Sequence, residues 1–156
     1  MERKNESFFP VKIESYKEGS YMNNDKNKAR MQFLLASTGS IFTEADYQAL
    51  SDHIEVHKYL INQTIPWVIT WDDAAFSWME NVFSPIMQVM DQWVVRNAFP
   101  TMSLAQLYFA VSEHWYYLLQ DHPEITAEAA AKDYAARNGK GLGKLLSKLS
   151  MPYRVA

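Results

Sequence analysis

The chain has no cysteine among its 156 residues. Disulfides, thiolate metal ligands and cysteine nucleophiles are therefore all excluded, and a cytoplasmic setting is expected. No apolar run approaches the roughly 18 residues that a membrane-crossing helix needs. The first residues, MERKNESFFPVK, hold no apolar stretch of signal-peptide length, so neither a span nor a leader is expected. Internal repeats and low-complexity tracts are missing too. Cations are nearly absent from the middle of the chain: residues 31–131 carry only Lys58 and Arg96 against twelve carboxylates, a net of −10. Such a surface repels a phosphate backbone, because nucleic-acid affinity comes mainly from clustered Lys and Arg.

The basic residues lie at the ends. Residues 1–30 hold seven Lys/Arg and five Asp/Glu, and residues 132–156 hold six cations and one acid, a net of +5. Nucleic acid or an anionic lipid surface would therefore meet the chain through Lys140, Lys144, Lys148 and Arg154. Attraction between an acidic body and a basic tail, within one molecule or between copies, accounts for the same pattern.

What the chain has in quantity is aromatic and apolar residues, 14% and 48% of the total. At 18.1 kDa that suits one domain with a full core. Eleven of the twenty-two aromatics and four of the five tryptophans fall in residues 71–119. Three domain segments are expected: a flexible polar extension at 1–30, a helical domain at 31–138 and a basic amphipathic tail at 139–156.

Alternation in VKIESY suggests a short strand at Val11–Tyr16, and RMQFLLAS, residues 30–37, fits either a helix or a buried strand. A helix is expected from Glu44 to Asn62, capped by Thr43, with Tyr47, Leu50, Ile54, His57 and Ile61 on one face. Pro66 follows its end. Thr70 and Asp73 approximate a capping box opening a second helix that turns Ala74, Ala75, Trp78, Met79 and Val82 inward. Ser84-Pro85 marks a new start or a kink, and a third helix over 85–97 should bury Ile86, Val89, Met90, Trp93 and Val94. Ser103 and Gln106 form a capping box for a fourth, over 104–120. Thr126 caps an alanine-rich fifth helix ending at Asn138-Gly139. The tail adds one amphipathic turn, Leu142, Leu145, Leu146 and Leu149 opposite Lys144 and Lys148. The expected fold is all-α, a compact bundle of about five helices on an aromatic-rich core.

The run Tyr47, Leu50, His53-Ile54, His57 and Tyr59, then Trp71 with Ala74, Ser77-Trp78, Phe83 and Pro85, then Phe99-Pro100, Leu107-Tyr108 and His114, resembles a family of bacterial helical domains of uncharacterised function. Its pattern reads roughly Y-x-x-L-x-x-H-I-x-x-H-x-Y, W-x-x-A, S-W-Y, Y-x-P, F-P, D-L-Y and H, and some members carry the domain beside a ParB-like domain. The resemblance covers about residues 40–135. Met79, Phe83 and Gln106 stand where the pattern has Tyr, Tyr and Asp. It implies the fold and no catalytic residue.

Candidate chemistry is sparse. His53 and His57, four apart on a helix, project to one side, and His114 or Glu113 on the fourth helix can supply a third ligand for zinc or another divalent cation. The bland reading gives each histidine one hydrogen bond in the core. Asp72-Asp73 read as first-turn acids rather than a general acid–base pair. Gly139, Gly141 and Gly143-Lys144 lack the spacing and the preceding strand of a phosphate loop. Trp78, Trp93 and Trp115 are core positions that can also line an apolar ligand pocket. The expected function is a non-catalytic interaction or regulatory domain, without a cofactor, engaging a protein partner or a second copy. The alternatives are a divalent-metal protein or metal-dependent enzyme using His53, His57 and His114, and a nucleic-acid accessory domain acting through the basic tail.

Overall fold

The computed structural model describes residues 22–149, and the expected strand at Val11–Tyr16 lies outside them. The described residues form eight α-helices and no strand: α1 (Met22–Ser37), α2 (Tyr47–Thr64), α3 (Trp71–Trp78), α4 (Ser84–Met90), α5 (Trp93–Ala98), α6 (Leu104–Asp121), α7 (Ala127–Asn138) and α8 (Gly141–Leu149). The all-α architecture and aromatic core read from periodicity are both present. No described helix is long and apolar enough to cross a membrane.

The ambiguous segment at 30–37 is the second half of α1, and residues 22–30, expected within a polar extension, are its first half. The reason is tertiary. Leu34 is fully buried, and the Arg30 guanidinium lies 4.3 Å from the centre of the Trp71 ring with its Nε 3.4 Å from Asp72 Oδ1. Packing on α3 thus holds a sequence of weak helical amphipathicity. Gly39, at φ 67°, closes α1 in the left-handed region, and the Ser40 N–H reaches back to Leu35 O at 3.1 Å. Phe42 then enters the core against Tyr108, Phe109 and Phe83, with ring centres 5.2, 5.5 and 6.0 Å away.

The capping signals are realised with one change. Thr43 opens a 3₁₀ turn, Glu44–Asp46, ahead of α2; its N–H and hydroxyl both donate to the Asp46 carboxylate, at 2.8 and 2.9 Å. Around α3, the Asp73 N–H donates to Thr70 Oγ1 at 3.1 Å, and the Thr70 N–H returns to Asp73 Oδ2 at 3.2 Å. The α6 box closes likewise between Ser103 and Gln106, at 3.1 and 2.9 Å. Thr126 accepts the Ala129 N–H at 3.2 Å and starts α7.

Of the two readings of Ser84-Pro85, the new start is the one realised: α4 begins at Ser84 with Pro85 in its first turn, though Ser84 is itself helical rather than an extended cap. A π-turn, Met79–Phe83, links α3 to α4, and Ser84 keeps helical angles of φ −61° and ψ −45°. The wider i→i+5 turn accommodates a proline that has no N–H to give and crowds the preceding carbonyls. The single helix expected over 85–97 is broken at Gln92, whose ψ of 134° is extended. That break resets the register. Val95 and Ala98 turn inward, and Trp93, expected in the core, is 57% exposed.

The helices interlock pairwise: α2 on α3, α4 on α6 and α7, α6 on α7, and α8 on both α5 and α7. The Trp78 indole N–H donates to the Tyr108 hydroxyl at 3.1 Å, a bond between two side chains that are 1% and 0% exposed. It satisfies the one polar atom of each aromatic in the middle of the core. The basic tail is part of this packing. Gly143 backs onto α5 so closely that a Cβ there would sit 2.4 Å from Ala98 N, and Ser147 is fully buried. Leu142, Leu145 and Leu146 accordingly face outward, Leu142 at 67% exposure and Leu145 at 53%. Gly139 is extended, with φ −71° and ψ 176°, so its role is close approach to Ala135 and Ala98 rather than a left-handed cap.

Candidate functional site

An open cleft between α2, α3 and α6 brings chemistry-bearing side chains and accessible space together. From α2 come His53, Val56, His57 and Leu60, spaced along one helical face. Trp78 comes from the end of α3, and Asn81 and Val82 from the π-turn. The opposite wall is α6, with Ser112, Glu113, Trp115, Tyr116, Tyr117 and Leu119. The cleft encloses about 280 Å³, near the lower end of the roughly 300–1,000 Å³ usual for small-molecule sites. Its lining is mainly apolar and aromatic, and the π-turn is what brings Asn81 and Val82 to it. Surplus turns of that kind re-aim side chains at functional sites.

Three polar groups in the wall, Asn81, His57 and Ser112, are positioned by side-chain hydrogen bonds. The Asn81 amide donates to the Ser77 carbonyl at 2.9 Å and to Ser77 Oγ at 3.2 Å. His57 Nε2 lies 3.0 Å from the same Oγ. The Ser77 hydroxyl thus joins Asn81 to His57 in one hydrogen-bonded group. A serine within reach of an imidazole is also the geometry of an activated nucleophile. Ser77, however, is not among the residues lining the cleft, so this chain of bonds positions the histidine. On the floor, Ser112 is hydrogen-bonded to Tyr108, the partner of Trp78. Burial drives the Tyr108 phenol well above its usual range despite those bonds.

Burial also fixes the charge of the histidines. It lowers His53 to about 4, although the Asp52 carboxylate pulls the other way, and it lowers His57 too. Both imidazoles are neutral at neutral pH, and no lysine or arginine is among the described lining residues. Burial first, then the Glu113 carboxylate and Tyr116, hold the Tyr117 phenol above its usual value.

The three histidines grouped by sequence for a metal are placed in two locations. His53 and His57 share the cleft. The rings of His53 and Phe109 meet edge-on at 5.4 Å. His114 does not line the cleft: its Nε2 donates to Asp133 Oδ2 at 2.7 Å, and Arg137 Nε donates to the same oxygen at 2.7 Å. Among the described residues no three His, Asp or Glu side chains are grouped to hold a metal ion. Of the tryptophans proposed for a pocket, Trp78 and Trp115 line it and Trp93 does not. Trp115 is oriented by its N–H, which donates to Ile125 O at 2.9 Å. Of the basic-tail residues, Lys140 is exposed and Lys144 Nζ donates to Arg137 O at 3.3 Å. Arg154 lies outside the described residues.

Glu113, the other candidate on the fourth helix for a place beside His53 and His57, does line the cleft with them, whereas sequence reasoning missed Ser77, Asn81 and Ser112 as members of one site. No spacing rule links them, since they meet only when α6 crosses α2 and the π-turn. Asp133 did leave a trace: it is the one acid among residues 132–156, in a helix otherwise rich in alanine.

No protein-family model matches the chain, and no curated protein or solved structure matches it.

Proposed function

We propose that the chain is a non-catalytic binding domain, an interaction or regulatory module that takes a small, largely apolar molecule in the cleft between α2, the π-turn and α6. The observation that carries this reading is the cleft itself. It has a volume of about 280 Å³, walls of Val56, Leu60, Trp78, Val82, Trp115 and Leu119, and a few convergent polar groups. The hydrogen-bonded His57–Ser77–Asn81 group is built to hold position, and the sequence carries no motif for transfer or hydrolysis. The acidic body, net −10 over residues 31–131, supports engagement of a basic partner or of the basic segment of a second copy.

The reading is tested by screening apolar fragments against the ¹⁵N-labelled chain by NMR. Amide shifts are expected to cluster at Val56, Leu60, Asn81 and Leu119. Val56→Trp, which fills the cleft from the half-buried face of α2, should abolish them while the far-ultraviolet circular dichroism is kept; Leu119→Trp is the second filling variant. Shifts that gather elsewhere, or that persist in a folded filled variant, overturn the reading.

A further inference from the structure

The cleft is not neutral in what it invites. Its floor and its rim differ. Trp78, at the floor, is 1% exposed, whereas Tyr116, at the rim, is 38% exposed. Glu113 is the one carboxylate among the described lining residues, it is exposed, and it makes no ion pair among the described residues. It sits close enough to Tyr117 and Tyr134 for its charge to raise both phenols, second to burial in each case. Trp115, Tyr116 and Tyr117 flank it along α6 and add the negative faces of aromatic rings, which attract cations. Beyond the rim, the acidic body focuses a negative potential on whatever approaches.

We propose that the ligand of this cleft is an organic amine, its ammonium group against Glu113 and the rim aromatics, and its apolar portion between α2 and α6 down to Trp78. The proposal rests on the reading of the cleft as a binding site and names its ligand class. An anion is disfavoured on every count: the histidines inside are neutral, no lysine or arginine lines the walls, and Glu113 repels it. A neutral apolar molecule fits the floor but leaves the carboxylate and the ring faces of the rim unused. A volume of about 280 Å³, near the lower end for small-molecule sites, suits a ligand of the scale of one aromatic ring with a short alkylamine. The carboxylate is solvated, so its contribution is selectivity of modest size that weakens with salt.

The experiment compares three probes of one shape by equilibrium titration of the full chain: 4-phenylbutylamine, 4-phenylbutanol and 4-phenylbutanoate. The amine is expected to bind about tenfold tighter than the alcohol at low ionic strength, with the carboxylate weakest. Glu113→Gln, a substitution at an exposed helical position, should bring the amine level with the alcohol and leave the melting temperature unchanged. Equal binding of amine and alcohol to the unaltered chain overturns the amine assignment and leaves the cleft a binding site. So does an amine preference that survives Glu113→Gln. Tightest binding by the carboxylate overturns it as well. If none of the three binds up to its solubility limit, the reading of the cleft as a binding site falls with it.

Discussion

Asp133 shows how one residue can decide the environment of two others. Its side chain is 3% exposed, yet it accepts 2.7 Å bonds from both His114 and Arg137. A buried carboxylate is tolerable only when paired and hydrogen-bonded. Asp133→Ala would leave the His114 imidazole facing an apolar gap and release Arg137, which is half exposed and loses less. The expected cost is about 3 kcal/mol in a urea denaturation series, the low end for breaking a buried pair. A loss under about 1 kcal/mol, the worth of an exposed pair, would sink this account. The same residue explains why His114 was grouped with His53 and His57 on sequence grounds. Periodicity puts His114 at the edge of a stripe on α6, but the partner across the interface belongs to α7, and no pattern within α6 can name it.

Elements were legible where the signal is local. Thr70, Ser103 and Thr126 cap the helices they were expected to cap, because a hydroxyl accepting a nearby N–H depends on three or four neighbouring residues. The break at Gln92 was not legible, and with it the outward turn of Trp93. The segment 85–97 has a helical pattern throughout, and the interruption comes from packing that turns Val95 and Ala98 inward instead. The contact of α5 with α8 makes a specific demand on one glycine. Alanine is favoured over glycine within a helix by about 1 kcal/mol, so on propensity alone Gly143→Ala would stabilise α8. Here the added methyl would lie 2.4 Å from Ala98 N and 2.7 Å from Asn97 C, both backbone atoms that cannot swing aside. The clash wins. Gly143→Ala should destabilise the fold by about 2 kcal/mol, as overpacking does, and should speed hydrogen exchange at the Lys140 amide, which donates to Ala98 O at 2.8 Å. Unchanged exchange with a raised melting temperature would contradict this packing.

For the whole molecule, the histidines of the cleft set a pH dependence. His53 is lowered from 6.5 to about 4 by burial, and His57 moves the same way. As pH falls, the unfolded chain therefore takes up protons that the folded chain refuses. Stability is full above about 6.5 and declines towards 4, the His53 contribution being on the order of 3 kcal/mol across that window. Urea midpoints measured at intervals between those limits should fall with pH, and His53→Gln should flatten the slope. A flat profile for the unaltered chain would mean that His53 charges inside the fold. At this scale the sequence was informative about class and charge, since helical periodicity and the segregation of acids from bases are both written along the chain. It was silent about the cleft, which exists only where α2, the π-turn and α6 meet.

The π-turn between Met79 and Phe83 has a further consequence for descent. A turn closed over five residues instead of four holds one residue more than the α-helix around it, the footprint that a single-codon insertion leaves in a helix. Each residue of an α-helix advances about 100°, so that surplus fixes which side chains of the segment face the cleft and which face the core. A homologous chain with an unbroken helix here would align with this one only through a one-residue gap at 79–83. On one side of that gap its side chains would keep the bearings seen here; on the other they would be turned by about a quarter of the circle.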